Sequence, residues 1–193
     1  MPVAIVVLVL AALWRVFVLY VPVLSNFSPV MALAFCAGAY GSNRWLRLAP
    51  FAALVLSDLY IDQYYLTVFH YQWSLGGELL RMACYLAALG FGVAISHRRN
   101  WVNLAGGALA GTVLFYLASN TASWMGDVAY RRDLAGWWQA LTVGHPEYEP
   151  TLFFLRNSLV SDVLFTAAFA LAMEYAALRR GNPSLLGLKQ VRR

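Results

Sequence analysis

Cys84 has the most direct chemistry open to it of any residue in the chain. It lies three positions after Arg81 and just before Tyr85, inside the apolar run 79–96. A neighbouring guanidinium favours the thiolate, and a thiolate ligates soft or borderline metals. A lone cysteine in an apolar helix is also a good small core residue, so both readings stand. Cys36 has no comparable polar neighbours. The other reactive groups are ionisable residues set in apolar stretches: Arg15, Asp58, Arg81, Arg156, Asp162 and Glu174, with Asn157 beside Arg156. Charge is costly inside a membrane span and usually faces the bundle interior. Two readings follow: a buried Arg–Asp network that fixes packing, with Arg15 against Asp58 or Asp162, or the polar floor of a binding site. Glu174 falls near the opposite end of its span, where an interfacial position is expected.

Other chemistries lack the residues they need. There is no G-x-x-x-x-G-K-[ST] loop, so no ATP site is expected, and no H-E-x-x-H or C-x-x-C to suggest zinc. Ser57-Asp58 with the distant His70 lacks the setting of a nucleophile elbow.

The elements that must position these groups follow from composition. Of 193 residues, 61% are hydrophobic and 12% charged, against about 45–50% and about 25% in soluble domains. That balance excludes a soluble globule and a disordered chain, and predicts one all-α integral membrane domain over 1–180 with a basic tail over 181–193. Spans of roughly 17–25 apolar residues are read at 3–24, 29–41, 45–61, 79–96, 101–120 and 152–178. No basic stretch follows Met1-Pro2, so no cleaved signal peptide is expected.

Net charge is +5, and its distribution says more than its sign. One set of connections and the tail hold Arg44, Arg47, Arg98, Arg99, Arg179, Arg180, Lys189, Arg192 and Arg193; the opposite set holds only Arg131 and Arg132. The positive-inside rule then puts both termini in the cytoplasm, in a bacterial inner membrane, and leaves no argument for a nucleic-acid partner. The outer side collects Asp62, Glu78, Asp127, Asp133, Glu147 and Glu149. Among them lie Tyr64, Tyr65, Phe69, His70, Tyr71, Trp73, Trp124, Tyr130, Trp137, Trp138, His145 and Tyr148. These aromatics suit either an interfacial belt or long loops, over 60–78 and 121–151, folded above an external ligand. Ser28-Pro29 reads as a helix start with Ser28 as N-cap. Gly107 and Gly111, with Gly106 beside them, read as a small-residue face for close helix contact.

Several short stretches recur together in one family. They are Asn26-Phe27-Ser28-Pro29-Val30, Leu56-Ser57-Asp58, Ser119-Asn120 with Trp124, and Phe153-Phe154-Leu155-Arg156-Asn157-Ser158-Leu159 followed by Asp162. Over about 15–177 the chain resembles small six-helix transport proteins related to the substrate-binding S components of energy-coupling-factor vitamin transporters. The resemblance implies a six-helix bundle that binds a vitamin from outside, under the connections between helices 1–2, 3–4 and 5–6. S components that share an energy module carry Ala-x-x-x-Ala on the first helix. The stretch from Val3 to Ala12 has no such pair, which points away from a coupling-factor partner and towards a solitary transporter.

Solitary relatives include the BtuM family of cobalamin transporters, in which a pocket cysteine ligates cobalt. By that resemblance Cys84 is the expected cobalt ligand, cobalamin the bound substrate, and thiolate-assisted removal of cyanide from cyanocobalamin a side activity. Asn26, Phe27, Asp58, Tyr85, Arg156 and Asp162 are expected to line or shape the pocket. Asn120, Trp124 and Asn157 are expected to hold the loop scaffold. An outer-membrane receptor or periplasmic binding protein would deliver the vitamin. The alternatives are another vitamin or precursor, with Cys84 as packing, or a membrane enzyme or assembly factor using Arg15, Asp58 and Asp162.

Overall fold

A computed structural model of the chain describes residues 2–69, 74–181 and 184, without the side chains of 2–5 and 69. The helices are α1 (Pro2–Val18), α2 (Val30–Tyr40), α3 (Arg44–Phe69), α4 (Leu75–Ile95), α5 (Trp101–Gly126), α6 (Leu134–Leu141) and α7 (Thr151–Arg179). There is no strand among the described residues. The expectations for His70, Tyr71 and Trp73, and for Lys189, Arg192 and Arg193 in the tail, lie outside the described residues.

Helices α4, α5 and α7 are long and apolar enough to cross a membrane. On α4, Leu79, Leu86 and Val93 recur every seven residues and are 62%, 54% and 36% exposed, while Cys84, Tyr85, Ala88 and Gly92 form the buried face. An apolar exposed stripe opposite a small-residue buried stripe is the pattern of a helix between lipid and protein. Helix α3 is as long as α5 but carries Arg44, Arg47, Asp58 and Asp62, with Pro50 inside it.

Around α2 the bundle is organised the other way. Nine of its eleven residues are buried: Val30, Met31, Ala32, Leu33, Ala34, Phe35, Cys36, Gly38 and Ala39. Helices α3, α4, α5 and α7 all pack on it, α4 most extensively. The α2–α4 contact depends on two glycines. A Cβ on Gly38 would overlap the Leu89 carbonyl oxygen, and one on Gly92 would overlap that of Phe35. From α5, Gly107 lies against the Phe35 ring, and a Cβ on Gly111 would pack 3.5 Å from Ala88 Cβ; Gly106 faces open space. The small-residue face expected on α5 therefore touches α2 and α4, but the closest backbone approach lies elsewhere.

Several boundaries move. The first span ends at Val18, and Pro22–Leu24 forms a separate 3-10 turn, because Pro22 has no N–H to continue a helical ladder. Asn26 then reverses the chain with φ 63°, a left-handed conformation that asparagine tolerates better than most residues. The connection expected over 60–78 is mostly helix: α3 runs on to Phe69 and α4 starts at Leu75. No Gly or Pro interrupts 51–69, so the helix continues past its apolar length and Tyr64 and Tyr65 ride on it. Likewise α5 continues to Gly126, and α6 occupies part of the expected 121–151 loop.

Ser28 is not the cap it was expected to be. Pro29 precedes the first turn of α2, and no side chain of that segment caps it. Instead the carboxylate of Asp162, from α7, faces the Ala32 N–H, placing negative charge where the free donors and the dipole of a helix start favour it.

Candidate functional site

Two polar constellations lie towards the end of the bundle where α6 sits. The first joins α1, α3 and α4. Arg15 Nη2 donates to Asp58 Oδ1 at 2.6 Å, and Nη1 donates to the Leu54 carbonyl at 3.2 Å and to Ser57 Oγ. The Arg15 and Asp58 side chains are 9% and 7% exposed. Arg81 lies 3.8 Å from Asp58 Oδ2 and 3.9 Å from Asp62 Oδ1, and pairs with Glu78 one turn before it on α4. Two guanidiniums thus face three carboxylates. Of the two partners open to Arg15, Asp58 is the one it takes. Helices α3 and α4 make little direct contact, so this network is what ties them at that end. Below it Pro50, Phe51 and Leu54 border an apolar crevice too narrow for a water molecule, with Tyr85 opposite and Val30 and Ala34 of α2 completing it.

The second constellation is a cleft with room of about 70 Å3, open at its mouth. From α5 it is lined by Thr112, Phe115, Tyr116, Ser119 and Asn120; from the start of α7 by Thr151, Phe154, Leu155 and Ser158; and from the α1–α2 connection by Asn26. The spacing on each helix, three to four residues, puts each set on one face. Asp162 follows Ser158 by four residues, on the same face and one turn deeper. Its Oδ2 accepts from Thr112 Oγ1 at 2.6 Å, it is 3% exposed, and its Oδ1 has no hydrogen-bond partner among the described residues.

The mouth is held by hydrogen bonds rather than by bulk. Tyr116 donates its hydroxyl to the Leu141 carbonyl at the end of α6. Trp137 Nε1 donates to Thr121 Oγ1 at 3.0 Å, fastening α6 to α5, and Asp133 caps α6 through the Gly136 N–H at 2.8 Å. Leaving α6, Gly144 takes φ +79°, and a Cβ there would overlap Thr151 Oγ1. Before α6, Trp124 Nε1 holds the Arg131 carbonyl at 2.8 Å, and Arg132 donates back to the Trp124 carbonyl. Tyr130, in that connection, stacks edge-on to His145; burial and the nearby Asp127 charge raise its phenol above the usual range.

Asn157 fixes the α1–α2 connection. Its amide donates to the carbonyls of Val23 at 3.0 Å and Ser25 at 2.9 Å, and its Oδ1 accepts from Arg156. An Asn157→Leu variant is expected to lose about 2–4 kcal/mol, because two hydrogen bonds go and two carbonyls lose their donors. Proteolysis near 19–28 should accelerate; unchanged cleavage there would contradict the assignment.

The six residues expected to shape a pocket do not converge. Asn26 lines the cleft, and Asp162 lies behind its lining, hydrogen-bonded to Thr112. Tyr85 borders the crevice and stacks on Phe115 at 6.2 Å, so it backs the cleft wall. Asp58 belongs to the ion network. Phe27 packs with Trp14 and Phe165, and its carbonyl accepts from Trp14 Nε1 at 2.9 Å. Arg156 is exposed, its guanidinium over the Phe153 ring. Cys84, 4% exposed, belongs to the core around α2 and borders neither the cleft nor the crevice. Both cysteines are free, and no cluster of three metal-ligating side chains occurs among the described residues.

Sequence reasoning misses Thr112, Phe115, Tyr116 and Thr151. A signal for α5 was present: Thr112, Tyr116, Ser119 and Asn120 form a polar stripe at helical spacing in an otherwise apolar span. Glu174 is buried against the protein, 2% exposed, and accepts from Ser184 Oγ at 3.1 Å. It lies at the end of the bundle where Arg99 sits over the Tyr40 ring and donates to the Ala39 carbonyl at 2.7 Å.

Lipid-facing apolar helices around a buried central helix, with a polar cleft at one end, define an α-helical membrane protein. The chain belongs to a family of unknown function, DUF6580, which matches residues 1–185. No curated protein and no solved structure matches it.

Proposed function

We propose that this protein is an S-component-like membrane uptake protein that takes a small vitamin or vitamin precursor into the cleft between α5, α7 and the α1–α2 connection. The observation that carries this reading is the cleft itself. It is lined by aromatic rings, hydroxyls and amides drawn from separate parts of the chain, the mix of apolar walls and a few convergent polar groups usual for small-molecule sites. The resemblance expects a ligand beneath the 1–2 and 5–6 connections, and the cleft lies between them. An arrangement with both termini cytoplasmic would turn this cleft outward, in agreement with the cluster of Lys and Arg at the other end.

Within the vitamin class, the size of the cleft and the position of Cys84 outside it favour a ligand smaller than cobalamin. Purification in detergent from cells grown on rich medium, followed by mass spectrometry of the extract, tests the reading. A vitamin-class molecule should accompany the parent protein and be lost from a Ser158→Trp variant, whose indole would fill the cleft. If no such molecule accompanies the parent and no B vitamin raises its melting temperature, the reading fails. Adding cobalamin to the parent and to Cys84→Ser tests the remaining arm: a corrin visible spectrum that depends on Cys84 would restore cobalamin as the substrate.

A further inference from the structure

The cleft contains no formally charged side chain in its lining, yet a carboxylate sits directly behind it. Asp162 is 97% buried by its 3% exposure. One oxygen is taken by the hydroxyl of Thr112, a residue of the cleft lining, and the other has no hydrogen-bond partner among the described residues. The contrast with Asp58 is informative. Asp58 is almost as deeply buried, but Arg15 and Arg81 stand beside it. Asp162 forms no ion pair among the described residues; the groups facing it there are the Thr112 hydroxyl of α5, the Ala32 N–H and Cys36 thiol of α2, and the Tyr85 phenol of α4. None of these carries positive charge. Burying a carboxylate without a compensating cation is costly, and in a poorly screened interior its field reaches into the space above it.

From this juxtaposition we infer that the cleft selects a small organic cation: a flat ring held among Phe115, Tyr116 and Phe154, with a protonated nitrogen directed at the Thr112–Asp162 pair. The inference rests on the uptake reading above and names the chemical class of its ligand. Thr112 can make the contact itself. Its one hydroxyl proton has two acceptors in reach, Asp162 Oδ2 at 2.6 Å and the Ala108 carbonyl one turn back at 3.0 Å; when it goes to the carboxylate, the oxygen can accept an N–H from the ligand, and the carboxylate charge strengthens that bond. Anions of the same shape meet the same charge with the opposite sign and are excluded.

Three probes of one shape and different charge test this: phenethylamine, phenethyl alcohol and phenylacetate, titrated into the full-length protein in detergent by calorimetry. Binding in the cleft is defined as binding lost in Ser158→Trp. Phenethylamine should bind at least about tenfold more tightly than the alcohol, about 1.4 kcal/mol, with phenylacetate weakest. Asp162→Asn should remove the preference for the amine and leave the affinity for the alcohol unchanged. Asp162 also faces the start of α2, so that variant can fail to fold. Thr112→Val, which keeps the volume, should by itself reduce the preference at least about threefold. Equal binding of amine and alcohol in the cleft, or a preference for phenylacetate, would overturn the cationic class while leaving the cleft as a binding site. No cleft-dependent binding of any probe would overturn both.

Discussion

An Asp58→Ala variant is expected to lose about 3–5 kcal/mol of stability, the usual cost of stranding one member of a buried ion pair. Arg15 would keep its hydrogen bonds to the Leu54 carbonyl and Ser57, but its charge would have no carboxylate at 2.6 Å. Arg81 cannot supply the missing charge, being of the same sign; it would instead be left with Asp62 and Glu78. The double variant Arg15→Met/Asp58→Leu separates the cost of a stranded charge from the worth of the pair. Removing both members and refilling their volume with apolar atoms is often close to neutral, so the double variant should recover most of what the single one loses. Thermal unfolding in detergent gives the comparison directly. A single variant as stable as the parent, or a double variant no better than the single, would show that this pair does not hold α1 against α3.

Gly92→Leu is expected to leave little folded protein. The added Cβ would overlap the Phe35 carbonyl oxygen and come within 2.8 Å of the Ala39 backbone nitrogen. Neither is a side chain that can rotate away. Relief requires separating α4 from α2, which would also lift Gly38 off Leu89 and loosen the core around Phe35 and Ala88. Overpacking a side chain typically costs about 1–3 kcal/mol; a clash of backbone against backbone exceeds that range. Gly90→Leu is the matched control. It lies two residues away on the same helix with nothing within 4 Å of its added Cβ, and it should express and elute as the parent does. Equal yields of monodisperse Gly92→Leu and Gly90→Leu would mean that α2 and α4 do not approach as closely as the structure has them.

Much of this was legible before any coordinates. The long apolar runs that became α4, α5 and α7 follow from composition, because a stretch with so little charge has few places to go but lipid. The buried charges were legible for the same reason: Arg15 and Asp58 stand out against their apolar surroundings, and only the choice of partner needed three dimensions. The length of α3 was not legible from hydropathy. Tyr64 and Tyr65 look like loop residues when apolarity is the guide, yet nothing in 51–69 stops a helix from continuing into polar surroundings. The cleft was legible only in part. Asp162 stood out as an acid within an apolar span, and Asn26 entered only through the family resemblance. Thr112 and Tyr116 did not, because single hydroxyls are common in apolar helices and only their shared face gives them meaning. The tightest contact also left a trace, in Ala34-x-x-x-Gly38 on α2 and Ala88-x-x-x-Gly92 on α4, the same small-residue spacing as Gly107 and Gly111.

The enclosure of α2 has a consequence for how the chain is made. Eleven residues at 1.5 Å each span roughly 16 Å, about half of a bilayer's hydrocarbon thickness, so this helix is too short to cross alone. Its neighbours α3, α4, α5 and α7 all come later in the chain, the last of them ending at Arg179. During synthesis α2 emerges before α3, α4, α5 and α7 and must wait for all four before its surroundings exist. The order of translation therefore runs opposite to the order of assembly: a segment released early is the one sealed in last. Truncation before α7 would leave α2 open along the side that Ser161, Asp162 and Thr166 cover, and such a nascent chain should be held by insertion factors or degraded rather than accumulate.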